Sequence, residues 1–246
     1  MSPLAISMIA FGIVFAAGLA GTILPGHRFP EGTKDVVRLG AGLVGTIAGL
    51  VLGLLVGSAN NSYEAQSNEV QRMITDVILL DNLLDQYGPQ AHQARLLLRA
   101  SIGPFVERVW KTGKEPVEPF KPTATGEALY LEIDGLVPQD DKQRSIKARA
   151  LTFFIDAAQS RVSLQQRALT SIPMPFLFVL IGWLAIIFMS FGLFAERHYS
   201  VLLALFIFAL SASVSIFLIL ELTHPFTGFV RIPNDPLLNA LPPLAG

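Results

Sequence analysis

Four stretches of about 20 residues each contain no charged side chain, and they limit the folds open to this chain. They cover residues 3–24, 39–57, 172–194 and 201–220. The hydrocarbon core of a bilayer is about 30 Å thick, so an apolar helix of about 20 residues can cross it. A helix also satisfies its own backbone polar groups inside lipid. The sequence therefore predicts four transmembrane helices.

Composition supports a membrane protein and argues against most catalytic sites. Charged residues make up 15% of the 246 residues, whereas about 25% is usual for a soluble domain. The net charge of −1 gives no reason to expect nucleic acid binding, and the absence of cysteine excludes thiolate ligands and nucleophiles. No metal-ligand spacing, phosphate-binding loop or hydrolase motif occurs. We predict no enzyme activity, no catalytic residue, no cofactor and no metal site.

The polar segment between the second and third stretches has the pattern of helices. Its apolar residues recur at the spacing of one helix face, and they are Ile74, Val77, Leu80, Leu84 and Tyr87. Gly-Pro pairs at 88–89 and 103–104 predict breaks. Further helices are predicted near 127–136 and over 139–170. We expect spans two and three to continue unbroken into this segment.

The predicted fold class is an all-α integral membrane protein with four transmembrane helices in two hairpins. A helical extramembrane domain lies between spans two and three. The predicted divisions are residues 1–59 for the first hairpin, 60–171 for the extramembrane domain, 172–222 for the second hairpin and 223–246 for a C-terminal tail. The first stretch has no basic segment before it, so we interpret it as a retained helix and not as a secretory signal.

Span two carries a repeat of glycines spaced by four, a pattern known as a glycine zipper. The repeat consists of Gly45, Gly49, Gly53 and Gly57. Residues four apart drift by about 40° around a helix, so the glycines form a slowly turning groove. In lipid, close backbone contact is what holds helices together, so the groove predicts a partner helix. The partner is either span one or four of the same subunit, or another copy around a symmetry axis, or the second chain of a dimer.

Other residues near span two have two interpretations each. Leu50, Val51 and Leu54 either pack against neighbours or form an apolar constriction in a pore. Arg38 stands either at a pore mouth or at the lipid head groups. The polar residues after span two, Asn60 and Asn61, either surround an aqueous vestibule or mark the membrane surface.

Basic residues in the short loops predict the orientation. The loop between spans one and two carries Arg28, Lys34 and Arg38, and the loop between spans three and four carries Arg197. Basic short loops usually face the cytoplasm. This rule places the termini and the extramembrane domain on the extracytoplasmic side.

Two segments resemble the bacterial bestrophin-like domain family of four-helix membrane proteins. After span four, "ILELTHPFTGFVRIPNDPL" is similar to the end of that family, with Glu221 at its acidic position and Pro225, Phe226 and Gly228 in its turn. His224 stands where the family usually has arginine. "NSYEAQSNEV", residues 61–70, is similar to the family's exit from span two.

The resemblance implies a location and an assembly. It implies a multi-pass protein of the bacterial inner membrane and, by analogy with true bestrophins, a pentamer whose second span lines an anion pore. It also implies a cytoplasmic extramembrane domain, opposite to the orientation predicted from the loop charges. Residues 39–57 contain no counterpart of the aromatic neck of bestrophins.

Two functional hypotheses follow. The first is a homo-oligomer in the lipid bilayer that conducts small ions along an axis lined by span two. The alternative is a non-conducting membrane scaffold or sensor whose central helical domain binds a partner.

Overall fold

The described part of the chain is helical throughout. The computed structural model describes residues 2–24, 30–111, 124–168, 174–195 and 198–241, and no strand occurs among them. The helices are α1 (Pro3–Ile23), α2 (Glu31–Tyr87), α3 (His92–Val106), α4 (Ala124–Gly135), α5 (Asp141–Ala168), α6 (Met174–Phe194), α7 (Tyr199–Leu222) and α8 (Asp235–Leu238). Four of them, α1, α2, α6 and α7, are long and apolar enough to cross a membrane.

The chain divides into two compact units. The first comprises Met1–Ser62 with Ser171–Thr223, and the second comprises Tyr63–Thr170 with His224–Gly246. Helix α2 contributes its apolar beginning to the first unit and its amphipathic remainder to the second.

Backbone contact holds α1 against α6 in the first unit. A Cβ atom added at Gly192 would lie 2.1 Å from the carbonyl oxygen of Gly18, and one added at Gly21 would lie 2.2 Å from that of Met189. Only glycine fits at such distances, so α1 and α6 make the close helix contact of this unit.

Helix α7 is joined to α1 by a buried polar contact. The hydroxyl of Ser213 donates a hydrogen bond of 2.5 Å to the backbone oxygen of Ser7. The hydroxyl of Ser215 instead donates to the carbonyl of Ser211, one turn earlier in its own helix. The serines of α7 thus include one interhelical contact and one local contact, and both satisfy the hydroxyl donor.

Helix α2 confirms the prediction that span two continues unbroken as a helix much longer than a bilayer is thick. Its 57 residues correspond to about 85 Å, against about 30 Å for a hydrocarbon core. It ends at Tyr87, where the predicted break occurs and Gly88 has a φ of 112°. The helix begins at Glu31, so part of the predicted loop before residue 39 is helical. The junction predicted between α5 and span three lies outside the described residues.

The predicted break at Gly103-Pro104 is wrong. Helix α3 runs through Pro104 to Val106 and is followed by a π-helical turn, Glu107–Lys111. Proline removes one backbone donor, but Ile102 and Val106 on either side are buried in the core of the second unit. Burial of these side chains keeps the helix intact across the proline.

The core of the second unit is assembled from four helices and the C-terminal segment. It contains Leu80 and Leu84 of α2 together with Leu98, Ile133 and Leu164. The C-terminal residues Phe226, Ile232 and Leu237 belong to the same cluster. The segment predicted only as a tail is therefore part of a packed core.

Candidate functional site

One side of α2 is uncovered along its apolar part. Leu50 and Leu54 are 70% and 72% exposed, although both lie within the uncharged residues 39–57. At about 100° per residue, eight exposed residues fall within one sector of about 100°. We call this sector the open face, and its members are Leu39, Leu43, Thr46, Leu50, Gly53, Leu54, Gly57 and Asn61.

The opposite side of α2 is buried within the first unit. Ala48, Leu55 and Ala59 pack in one apolar cluster with Leu180 and Ile216. Small residues at 48 and 59 allow α2 to lie close to its neighbours. Because the cluster fixes the rotation of α2 about its own axis, it also fixes the direction of the open face.

The glycine repeat turns from the buried side to the open face. A Cβ atom added at Gly45 would lie 3.9 Å from Cδ1 of Ile187 in α6. Atoms added at Gly49, Gly53 or Gly57 would have no described atom of another residue nearby, within 4 Å. The drift of about 40° per step accounts for this change. Gly45 therefore has a packing neighbour within the subunit, whereas the other three glycines have none among the described residues.

The three residues predicted for a constriction do not share one side. Leu50 and Leu54 belong to the open face, about 40° apart. Val51 is half-buried and packs against the apolar cluster of the first unit. The pair of leucines is thus available to a constriction, whereas Val51 has a packing role.

The residues predicted for a pore mouth or vestibule differ in their surroundings. The guanidinium of Arg38 lies over the ring of Phe194 in α6, 5.3 Å from its centroid, which is a cation–π contact. Asn60 and Asn61 are exposed on α2. Arg38 is therefore held beside α6, while Asn61 belongs to the open face and Asn60 lies outside it.

The residues of the family turn are placed by packing. Glu221 is only 2% exposed in the last turn of α7. Pro225 and Phe226 are buried, and the carbonyl of Pro225 accepts a hydrogen bond of 2.7 Å from the amide of Ile232. Gly228 has a φ of 106°, a conformation that favours glycine.

An aromatic contact anchors this turn in the second unit. The indole Nε1 of Trp110 donates a hydrogen bond of 2.8 Å to the carbonyl of Ile232. Its ring meets that of Phe226 edge to face, with centroids 5.1 Å apart. These contacts stabilise the C-terminal segment, and they give Phe226 a structural role.

Two buried carboxylates on α2 were missed by sequence reasoning. Asp81 is 3% exposed and accepts hydrogen bonds from Arg95, at 3.1 Å, and Arg99, at 2.9 Å. Asp76 is 7% exposed, and its Oδ2 has no hydrogen-bond partner among the described residues. A carboxylate on the apolar side of an amphipathic helix was the available signal.

The environment of Asp76 favours its protonated form. Burial raises the pKa of the Asp76 carboxyl above its ordinary value, and the carboxylate of Asp156 on α5 raises it further. Arg72 lowers the pKa, and Glu69 raises it again. Ionisation of Asp76 is therefore less favourable in the folded protein than in water.

The geometry contains no group of three metal-ligating side chains among the residues it describes. What it does contain is a long helix with an exposed apolar and glycine-rich sector. Such a sector inside a membrane protein can face lipid, another helix or an aqueous passage. Of the predicted site residues, it includes Leu50, Gly53, Leu54, Gly57 and Asn61.

Comparison with known proteins provides the context for this arrangement. The Bestrophin-like domain family matches residues 8–237. A solved structure of a bacterial bestrophin homologue from Klebsiella pneumoniae, carrying one point mutation, is similar over 96% of this chain and 94% of that chain. The TM-score is 0.70 and the sequence identity is 14%, which shows a shared fold. No curated protein matches the chain.

Proposed function

The chain belongs to the bestrophin-like family, and from this premise we propose that it forms a homo-oligomer whose α2 helices line an axial conduit for small ions. By analogy with bestrophins, the assembly is a pentamer. The observation that carries the proposal is the open face of α2, which no other part of the described chain covers.

The composition of the open face suits an axis better than a lipid surface. Gly53 and Gly57 lack side chains, and glycine in a helix interior costs roughly 1 kcal/mol relative to alanine. Contact with lipid alone does not offset this cost, whereas close approach of copies around an axis does. The glycines therefore support assembly through α2.

Leu50 and Leu54 provide the closing element of the conduit. Repeated around an axis, they form two apolar rings one helical turn apart. A narrow passage with apolar walls excludes water and ions until it widens, which is gating by dewetting. In this proposal, small rotations of α2 that turn the leucines away from the axis open the passage.

Ion flux into liposomes containing the purified chain tests the proposal. We expect flux above protein-free liposomes, and we expect the double variant Leu50→Ala, Leu54→Ala to increase it severalfold because the apolar rings widen. The matched control is Leu203→Ala, which shortens a leucine that is 61% exposed on α7 and lies outside α2. It should leave the flux unchanged.

The alternative is a non-conducting membrane scaffold or sensor whose central helical domain binds a partner. Images of the purified particle distinguish the two functions. A ring with an axial passage supports conduction. A monomer, or a dimer without a passage, with no flux from any variant, would establish the scaffold.

Cysteine labelling determines the orientation in the inner membrane, because the chain has no cysteine of its own. Ser145→Cys places an exposed thiol on α5, and Gly32→Cys places one at the start of α2. The loop charges predict that an impermeant thiol reagent labels Ser145→Cys in intact spheroplasts and not Gly32→Cys. The opposite pattern would establish the orientation of true bestrophins.

A further inference from the structure

We propose that the loop after α7 inserts its tip into the head-group region of the membrane and binds anionic lipid there. The tip consists of Phe229, Val230 and Arg231, and all three residues are exposed. Phe229 is 82% exposed. A single exposed apolar side chain is ordinary on a protein surface, so the significance of Phe229 comes from the way in which the loop holds it.

The loop holds Phe229 outside the core of the second unit because both of its ends are anchored. The amide of Ile232 donates a hydrogen bond of 2.7 Å to the carbonyl of Pro225, which closes the loop. Phe226 and Ile232 are only 7% and 4% exposed, and the indole of Trp110 donates to the carbonyl of Ile232. Phe229 is therefore exposed because the packed ends of the loop keep it there.

Two backbone turns set the direction of the tip. The amide of Thr227 donates a hydrogen bond of 3.1 Å to the carbonyl of His224. The next residue, Gly228, has a φ of 106°, which reverses the chain in a conformation that favours glycine. The sequence of the loop thus specifies a structured projection with an aromatic side chain at its end.

The chain connection brings the tip within reach of the membrane surface. Helix α7 has 24 residues, which correspond to about 36 Å, whereas the hydrocarbon core is about 30 Å thick. The last residue of α7, Leu222, therefore lies close to the edge of the hydrocarbon. Phe229 follows Leu222 by seven residues, a distance of at most about 25 Å along an extended chain.

The charge of the loop suits anionic head groups. No acidic side chain occurs in the sequence between Glu221 and Asp235, and Arg231 directly follows the apolar pair Phe229 and Val230. Apolar side chains enter the boundary between head groups and acyl chains, and adjacent basic side chains are attracted to anionic lipid. A membrane surface offers both kinds of contact at once, so lipid is the partner that the tip fits.

Spin labels on single cysteines test the proposal, because the chain has no cysteine of its own. Phe229→Cys carries a nitroxide at the tip of the full-length chain in nanodiscs of phosphatidylglycerol and phosphatidylcholine. The matched control is Val137→Cys, which labels an apolar residue after α4 that is 78% exposed. Oxygen concentrates in lipid, whereas a nickel chelate stays in water. The ratio of oxygen to nickel accessibility should be severalfold higher at residue 229 than at residue 137.

The lipid dependence of this ratio tests the role of Arg231. The ratio at residue 229 should be higher in nanodiscs that contain phosphatidylglycerol than in phosphatidylcholine alone. Arg231→Gln, combined with Phe229→Cys, should remove this difference. The matched control is Lys142→Gln, which removes the same charge from an exposed position on α5 and should preserve the difference.

Three results would overturn the proposal. Equal ratios at residues 229 and 137 would show that the tip remains in water. Low accessibility to both oxygen and nickel at residue 229 would place the tip against protein, such as a second copy of the chain. A ratio that is the same in both lipid compositions would remove the assignment of anionic lipid to Arg231.

A second label and a stability measurement separate loss of insertion from misfolding. Val230→Cys labels the same tip, and we expect the same high ratio there. Because both positions are exposed, both variants should keep the melting temperature of the parent chain. None of these measurements requires ion flux, so their outcome is independent of the proposed conduit.

Discussion

Asp76 and Asp81 lie on α2 within the second unit, and both carboxylates are buried. Their partners differ. Asp81 receives hydrogen bonds from Arg95 and Arg99, whereas Oδ2 of Asp76 has no partner in the described part of the chain and the carboxylate of Asp156 raises its pKa. Burial of a charge stabilises a fold only where opposite charge and hydrogen bonds compensate for the loss of water. The two aspartates should therefore respond to substitution with opposite signs.

Asp81→Ala should destabilise the protein by about 3 kcal/mol, because two arginines lose their common acceptor inside the second unit. Thermal unfolding of the full chain in detergent measures the effect. The matched control is Asp134→Ala, which removes an exposed carboxylate 4.0 Å from Lys147 and should cost less than about 1 kcal/mol. Equal effects of the two variants would contradict the role given to Asp81.

Asp76→Asn should raise the melting temperature at pH 7, with a gain of about 1 kcal/mol from removing a buried charge that Arg72 compensates only in part. The pKa of Asp76 is higher in the folded state than in the unfolded state. The native state therefore holds its proton more tightly, and stability falls as pH rises through the folded pKa. The advantage of Asp76→Asn should disappear at acidic pH, below the ordinary pKa of aspartate.

Melting curves between pH 3 and pH 8 check this dependence, using the same variant and the parent chain. Glu127→Gln is the control, because Glu127 is an exposed carboxylate at the start of α4. It should change the stability by no more than about 0.5 kcal/mol at any pH. A lower melting temperature of Asp76→Asn at pH 7 would show that its charge is compensated.

At the scale of elements, the close helix contact lies between α1 and α6. Gly21 and Gly192 face backbone atoms at distances that no Cβ can tolerate, whereas the glycines of α2 beyond Gly45 face none. A small residue shows where the surface of a helix can be approached closely. It does not show which other helix makes the approach. That choice depends on the packing of the whole unit.

Gly192→Ala should destabilise the first unit by about 1–3 kcal/mol, because the added methyl would force the backbones of α1 and α6 apart. Gly182→Ala is the matched control on the same helix, since a Cβ there has no described neighbour within 4 Å. Alanine favours a helix over glycine by roughly 0.5–1 kcal/mol, so this control should be neutral or stabilising. Thermal melts of both variants measure these changes in stability. Equal losses of stability would contradict the close contact between α1 and α6.

The success of the sequence predictions follows the range of the interactions involved. The four apolar helices and the end of α2 at Tyr87 depend on composition and local breakers, and these were confirmed. The break at Pro104 was wrong because burial of its neighbours outweighs a local preference. The electrostatic effect of Asp156 on the pKa of Asp76 links residues far apart in sequence, and no local pattern encodes it.

The candidate site shows the same division between features set by local interactions and features set by long-range packing. The drift of the glycine groove is a local property of α2, and the structure shows it turning away from α6 after Gly45. Whether Leu50 or Val51 faces the open side depends on the cluster that orients α2, which includes Leu180 and Ile216. The role of Val51 in packing could therefore not be read from its position beside Leu50.

At the scale of the whole molecule, the single chain leaves three glycines without a partner helix. Lipid provides no hydrophobic force that would press helices together, so contact between α2 helices must come from close packing of backbones. The first unit is already complete without this contact, because its clusters bury the other side of α2. Assembly and folding of the protomer should therefore be separable by substitution.

Gly49→Leu tests this separation. A Cβ at Gly49 meets no described atom within 4 Å in the protomer, so the variant should keep the helicity and melting temperature of the parent protomer. In an assembly through α2 the leucine would enter a space where backbones touch, and overpacking of this kind costs about 1–3 kcal/mol. The same cost recurs at each copy of the contact, so the particle should shift to smaller species in light scattering after size-exclusion chromatography. Gly12→Leu is the control, because Gly12 is an exposed glycine of α1 with the same open surroundings and no place on α2. If the Gly49→Leu particle keeps the mass of the parent, the side of α2 that carries Gly49, next to the open face, is not a surface through which the copies assemble.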